Sequence, residues 1–183
     1  MNKPYELGIL IGRFQPFHTG HQDMIDKALA LCDKVGLFIG SSQESGTLMN
    51  PFSYEERKGW LKKIYGDRLY VYPLPDIGVG NNSKWGDYVI ENVIQRFGRA
   101  PDLFVSGKES RRIDWFDSIN GLAVAELYLP KTIEISATRV REMFIGNELE
   151  EWKKYTDPLL WDEFDRLRKT VISSSSRLDT ASI

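Results

Sequence analysis

Short runs rich in β-formers alternate with helix-patterned stretches along most of this 183-residue chain. That alternation leaves few folds open. A strand, an amphipathic helix and a second strand return the chain parallel to itself, and a series of such units builds a parallel sheet covered by helices. Residues 6–11, 35–39, 69–72, 103–105 and a run within 123–129 are predicted strands. Helices are predicted at 20–32, 54–65, 83–97 and 137–145, followed by a helical region at 148–169 broken at Asp157-Pro158. Thr19 with Gln22, and Ser53 with Glu56, have capping-box spacing, and Ser136 is placed as an N-cap. Pro73 is expected to stop the third strand. The architecture these elements predict is a Rossmann-like α/β three-layer sandwich with a central parallel sheet and C-terminal helices. One domain is expected over residues 1–172, with a flexible Ser-rich tail over 173–183.

In such sheets ligands bind beyond the carboxyl ends of the strands, near a topological switch point. The residues suited to chemistry fall there. The chain has two histidines, His18 and His21. Both lie in the first strand-to-helix junction, Gly12-Arg13-Phe14-Gln15-Pro16-Phe17-His18-Thr19-Gly20-His21. Amides at the following helix N-terminus attract anions, and two imidazoles beside them suit developing negative charge. Gly12 lets the backbone approach a ligand closely. Ser136 and Thr138 offer hydroxyls at the start of the fourth helix, and Arg141 adds a fixed cationic fork, which together make a phosphate clamp. Arg57, in the first turns of its helix, is placed to reach a phosphate. Trp85 follows Pro75-Asp76-Ile77 and Asn82, offering an aromatic face to a planar ring and polar partners to an amide. The same residues also fit plainer roles: Trp85 as core, Arg57 in a surface ion pair, His18 and His21 in turn capping and packing.

Composition narrows the partners. A net charge of −2 excludes a surface given over to nucleic acid, while leaving room for a local cationic patch. No apolar run reaches the roughly 18 residues of a membrane span. No signal-peptide pattern opens the chain. The lone Cys32 excludes an internal disulfide, and no cysteine cluster suggests zinc. A cytoplasmic location is the expectation.

The string GRFQPFHTGH resembles the HxGH signature of the nucleotidyltransferase α/β-phosphodiesterase superfamily, and its opening is especially similar to archaeal-type nicotinamide-nucleotide adenylyltransferases. Ile135-Ser136-Ala137-Thr138-Arg139-Val140-Arg141 resembles the superfamily's ISxTxxR signature. Gly40-Ser41-Ser42-Gln43, the segment from Asn50 to Arg57, Pro75-Asp76-Ile77 with Asn82 to Trp85, and Phe104 to Lys108 are similar to further segments of that family, in the same order. About two extra residues separate Asp76 from Asn82 relative to the family spacing. The resemblance implies transfer of AMP from ATP to nicotinamide mononucleotide, giving NAD and pyrophosphate. It implies catalytic roles for His18, His21 and Arg141. ATP would meet Gly12, Arg13, Phe14, His18, His21, Ser106, Gly107, Ser136, Thr138 and Arg141. The acceptor would meet Arg13, Ser41, Arg57, Asp76, Ile77, Asn82 and Trp85. Mg²⁺ would enter mainly on ATP, with no dedicated protein ligand, and a homo-oligomer is implied. Lys108, Arg111 and Arg112 are left between phosphate contact and surface charge.

An acceptor phosphate is itself a nucleophile, since its second pKa is about 6. The absence of an obvious catalytic carboxylate or Ser/Cys–His pair therefore fits this chemistry, which rests on positioning and charge stabilisation. The rival readings are the same reaction on nicotinate mononucleotide, FMN or pantetheine phosphate, and a nucleotide-binding regulatory module without turnover. A redox Rossmann enzyme fits poorly, because the first loop lacks G-x-G-x-x-G.

Overall fold

The computed structural model describes residues 3–80, 83–107, 113–116 and 122–176. Strands β1 (Tyr5–Gly12), β2 (Cys32–Gly40), β3 (Tyr70–Leu74), β4 (Leu103–Ser106) and β5 (Ala125–Tyr128) form one sheet in the order β3-β2-β1-β4-β5. Every neighbouring pair is parallel, and Leu10 of β1 lies opposite Leu37 of β2 and Val105 of β4. Helices α1 (Thr19–Leu31) and α2 (Tyr54–Tyr65) carry the chain outward from β1 to β3. Helix α3 (Ser83–Phe97) brings it back across the sheet to β4. Strand order therefore reverses between β1 and β4, and that crevice is where such a sheet takes its ligand.

The side-chain period of two along a strand splits the core into two layers. Leu10, Leu37, Ile39 and Val105 pack toward α1, α2 and the C-terminal helices. Leu7, Ile9, Phe38 and Phe104 pack toward α3. Burial on both faces explains why these strands read as nearly continuous apolar runs. After β5 come α4 (Ala137–Ile145), α5 (Leu149–Lys153), a 3-10 turn at Pro158–Glu163 and α6 (Phe164–Ser176). Trp152, Leu160, Phe164, Leu167 and Val171 from this region join the same buried cluster as Ile25 and Ala28 of α1.

Several expectations are corrected. β3 continues through Pro73 to Leu74, with Pro73 opposite Ile39. β3 is an edge strand, where a residue without an N–H is tolerated. Cys32 does not end α1 but opens β2. It is buried, and a Cβ at Gly8 would lie 2.4 Å from its sulfur. The Thr19/Gln22 capping box does not form. His18 is the N-cap and gives no side-chain cap bond. Instead the C-terminal region supplies the partners: Thr19 N donates to Tyr155 O at 2.9 Å, and Gln22 Nε2 donates to Asp157 Oδ2 at 2.8 Å. The Ser53/Glu56 box is present in full, and Ser136 Oγ accepts from Arg139 N at 3.1 Å. Asp157 caps the turn at Pro158, accepting from Leu159 N at 2.9 Å. α6 runs on to Ser176, so the first serines of the expected tail are helical, with Ser174 and Ser175 hydroxyls donating back to the carbonyls of Thr170 and Val171. Among the described residues no helix is long and apolar enough to cross a membrane.

Candidate active site

The loop after β1 folds back on itself. Phe14 adopts φ +52°, a left-handed conformation costly for a bulky side chain and typical of over-determined functional loops. That turn lays its ring over Gly12, where a Cβ would stand 2.9 Å from the ring edge. On its other side the Phe14 ring meets His21, centroid to centroid at 4.8 Å. His21 in turn stacks on His18 at 3.8 Å, with 26° between the ring planes. A Cβ on Gly20 would come within 3.1 Å of the His18 ring, so the glycine between the histidines makes room for their stack. His18 is 7% exposed, and its Nδ1 is buried without a hydrogen-bond partner. Burial, helped by the charge of Lys131, lowers its pKa to about 4. The imidazole is therefore neutral near pH 7 and serves as a hydrogen-bond donor rather than a cation.

Arg141 reaches the same loop from α4. It is 6% exposed; Nη1 donates to Gln15 O at 2.7 Å and Nη2 to Thr138 Oγ1 at 3.1 Å. These bonds use two of the five guanidinium N–H groups. Burial and the neighbouring charge of Arg13 push its pKa down. Arg13 itself is exposed, and its charge is also felt by Arg57. The carboxyl ends of β1 and β2 thus gather guanidinium charge around the histidine loop, as a polyphosphate site requires. Among the described residues no group of three or more His, Cys, Asp or Glu is placed to hold a metal ion.

Arg57 is placed differently from the expectation that it reaches a phosphate. It is 0% exposed, and all five of its N–H groups meet backbone carbonyls. Nε donates to Ser53 O at 3.2 Å, Nη1 to Arg13 O and Gly40 O at 2.9 Å each, and Nη2 to Ser41 O at 3.1 Å and Glu44 O at 3.5 Å. No donor remains for a ligand in this arrangement; Arg57 ties together the loops after β1 and β2. Ser41, at φ +46°, contributes its carbonyl to that hub.

On the acceptor side, Gln43 holds Asp76 at two points: its Nε2 donates to Asp76 Oδ2 at 3.1 Å, and its Oε1 accepts from Asp76 N at 3.0 Å. Ile77 is 44% exposed. Asn82, like Lys108, Arg111 and Arg112, lies outside the described residues. Trp85 is 8% exposed, packed on Tyr88 and set perpendicular to Trp115 at 6.4 Å. In this arrangement it is a core residue. Trp115 stacks in turn on Phe104 at 5.7 Å. Ser106 Oγ donates to Glu126 Oε1 at 2.6 Å, and Gly107 stands where a Cβ would meet Met24 Sδ at 2.6 Å. Ser136 spends its hydroxyl oxygen as the α4 cap.

Gln15, Lys131, Trp115 and Glu126 are residues that sequence reasoning did not single out. Gln15 stood inside the quoted motif, so its place was visible although its contacts were not. The other three have no local signal, since what matters is which strand or helix lies across from them. An open groove of about 510 Å³ beside α2, lined by Trp60, Lys63, Glu163 and Arg166 among others, contains none of the candidate residues.

A cytidylyltransferase-like family model matches residues 9–143. The nicotinamide-nucleotide adenylyltransferase of Pyrococcus horikoshii is 40% identical over 146 residues, covering 77% of this chain and 74% of that one. That of Saccharolobus solfataricus is 41% identical over 88 residues, 45% of this chain and 50% of that one. Among solved structures, a bifunctional NMN adenylyltransferase/ADP ribose pyrophosphatase from Francisella tularensis, complexed with AMP and a manganese ion, superposes with a TM-score of 0.73 at 26% identity, covering 92% of this chain and 52% of that one. The matches thus span about half the length of the Saccharolobus and Francisella proteins. With the HxGH loop at the sheet's switch point, a family model over most of its length and a relative 40% identical across three quarters of it, this chain belongs to the cytidylyltransferase-like family of nucleotidyltransferases.

Proposed function

We propose that this protein transfers the AMP of ATP to nicotinamide mononucleotide, releasing pyrophosphate and forming NAD. The observation that carries this reading is the stack of the neutral His18 on His21, joined through the β1 loop to the cationic fork of Arg141, at the crevice where strand order reverses. The names of the archaeal relatives and of the Francisella enzyme support the acceptor.

A phosphate oxygen of the acceptor attacks the α-phosphorus of ATP. The new P–O–P bond forms as the bond to the β-phosphate bridging oxygen breaks, and pyrophosphate leaves with that electron pair. No residue need remove a proton, because the acceptor phosphate is largely dianionic near neutral pH. His18 and His21 donate hydrogen bonds to the triphosphate where charge accumulates. Arg141 and the N-terminal amides of α4 hold the departing phosphates. Arg13 takes the phosphate contacts that Arg57 has no donors left to make. Mg²⁺ carried on ATP would neutralise phosphate charge. Asp76 and Ile77 wall the acceptor end, and Trp85 is the aromatic face for its ring. The reading also takes the enzyme to be a cytoplasmic homo-oligomer with no nucleic-acid or membrane partner.

The test is incubation with ATP, Mg²⁺ and each of nicotinamide mononucleotide, nicotinate mononucleotide, FMN and pantetheine phosphate, following pyrophosphate and product. NAD formation is the expected result. Pyrophosphate released only with FMN or pantetheine phosphate overturns the acceptor, and ATP binding without release under any condition overturns the activity.

A further inference from the structure

Gln15 is a polar side chain buried in the histidine loop, at 2% exposure. Its amide pairs with a single residue of another loop. Nε2 donates to Phe52 O at 2.8 Å, and Oε1 accepts from Phe52 N at 3.0 Å. A side-chain amide so engaged has one rotamer and one place, because each alternative leaves a buried donor or acceptor unmade. Phe52 is a rigid anchor: it is fully buried, edge-on to Trp60 at 4.9 Å, and it precedes the capping box that starts α2. The backbone carbonyl of this same Gln15 accepts the 2.7 Å bond from Arg141 Nη1. One residue therefore joins α2's anchor to the guanidinium that arrives 126 residues later in the chain.

We propose that Gln15 is a positioning residue that aims Arg141 at the triphosphate. The inference rests on the reading that Arg141 binds ATP. Among the described residues Arg141 has one other hydrogen-bond anchor, the exposed Thr138 hydroxyl, and a guanidinium hinged at one point can swing. The Gln15 carbonyl is the second point that sets the plane of the fork, and it stays in place only while the side chain holds Phe52. Charge-assisted bonds from a planar fork depend on that plane, so a loose Arg141 loses affinity while keeping its charge.

The test is a double-mutant cycle on ATP affinity, measured by titration calorimetry on wild type, Gln15→Met, Arg141→Ala and the double variant. Gln15→Met is expected to weaken ATP binding about tenfold in the wild-type background and less than about twofold once Arg141 is absent. A purely structural role for Gln15 changes the folded fraction, not the affinity of the folded protein. If Gln15→Met fails to fold, Gln15→Glu serves in the same cycle. Its buried carboxyl accepts from Phe52 N in either state but donates to Phe52 O only when protonated, and burial raises its pKa. Its ATP affinity, relative to wild type, is expected to recover as pH falls from about 8 to about 6.

Equal losses from the Gln15 substitution with and without Arg141 overturn the positioning role. An Arg141→Ala variant with unchanged ATP affinity overturns it as well, by removing the role of Arg141. Neither result bears on whether wild type makes NAD, so failure of the proposed function is read separately, from product formation.

Discussion

The buried guanidinium of Arg57 has five backbone carbonyls around it. Arg57 keeps its charge, since burial lowers its pKa only to about 10. In this arrangement it frames the loops after β1 and β2. Lysine has three donors and no fixed fork, so Arg57→Lys would leave carbonyls of the two loops unpaired in the interior. That substitution is expected to cost about 2–4 kcal/mol in urea denaturation, with ATP and acceptor affinities both falling. His18 makes the complementary prediction. Its folded pKa of about 4 lies below the ordinary 6.5, so the unfolded chain takes up the proton first as pH falls. The stability that depends on neutral His18 is therefore complete above about pH 6.5 and lost progressively down to about pH 4, to the extent of about 3 kcal/mol. Comparing denaturation of wild type and His18→Gln at pH 7 and pH 4.5 checks it: the variant is expected to lack that part of the acid loss. Both roles were only half legible. The motif placed His18 and Arg57 at the site, but whether a cation meets phosphate or carbonyl depends on backbone that arrives from Gly40 to Glu44, which spacing does not reveal.

At the scale of elements, α2 and α1 show two ways to start a helix. α2 satisfies its first amides locally through Ser53 and Glu56, so its start was readable from four residues. α1 has similar residues in Thr19 and Gln22, yet its first amide donates to Tyr155 O and the Gln22 side chain donates to Asp157. The contact between α3 and the Ile113–Phe116 turn is closer still. A Cβ on Gly86 would fall 1.6 Å from the carbonyl oxygen of Trp115, a backbone atom with no rotamer to yield. Gly86→Ala is expected to push the turn off the helix and to destabilise the fold by about 2–3 kcal/mol. Tryptophan fluorescence reads the displacement: the Trp85–Trp115 pair is expected to red-shift as water enters, and an unchanged spectrum with unchanged stability would refute the contact.

For the molecule as a whole, the C-terminal helices are part of the core rather than an appendage. Phe164 packs against Phe144 at 5.4 Å and Trp152 at 5.2 Å, which ties α6 to α4, the helix that carries Arg141. Phe164→Ala is expected to cost about 3–5 kcal/mol in global stability. Because α4 loses its backing, ATP affinity is expected to fall in the same variant, measured on the fraction that remains folded. Unchanged ATP binding would separate the C-terminal layer from the site.

The sequence by itself determined the parallel sheet, the bounds of α2, α3 and α4, and the two motif segments that carry His18, His21 and Arg141. Those features follow from periodicity, caps and motif residues that act within a few positions of one another. Tertiary structure decided the rest. It let Pro73 stay in a strand because β3 is an edge, set the Arg57 guanidinium among the carbonyls of two loops, packed Trp85 edge-on against Trp115, and joined Gln15 to both Phe52 and Arg141. In each case the deciding partner lies far along the chain. A hydrogen bond or ring contact is spent on whatever the fold brings within reach, and that is set by the packing of whole elements rather than by the residue's own neighbourhood.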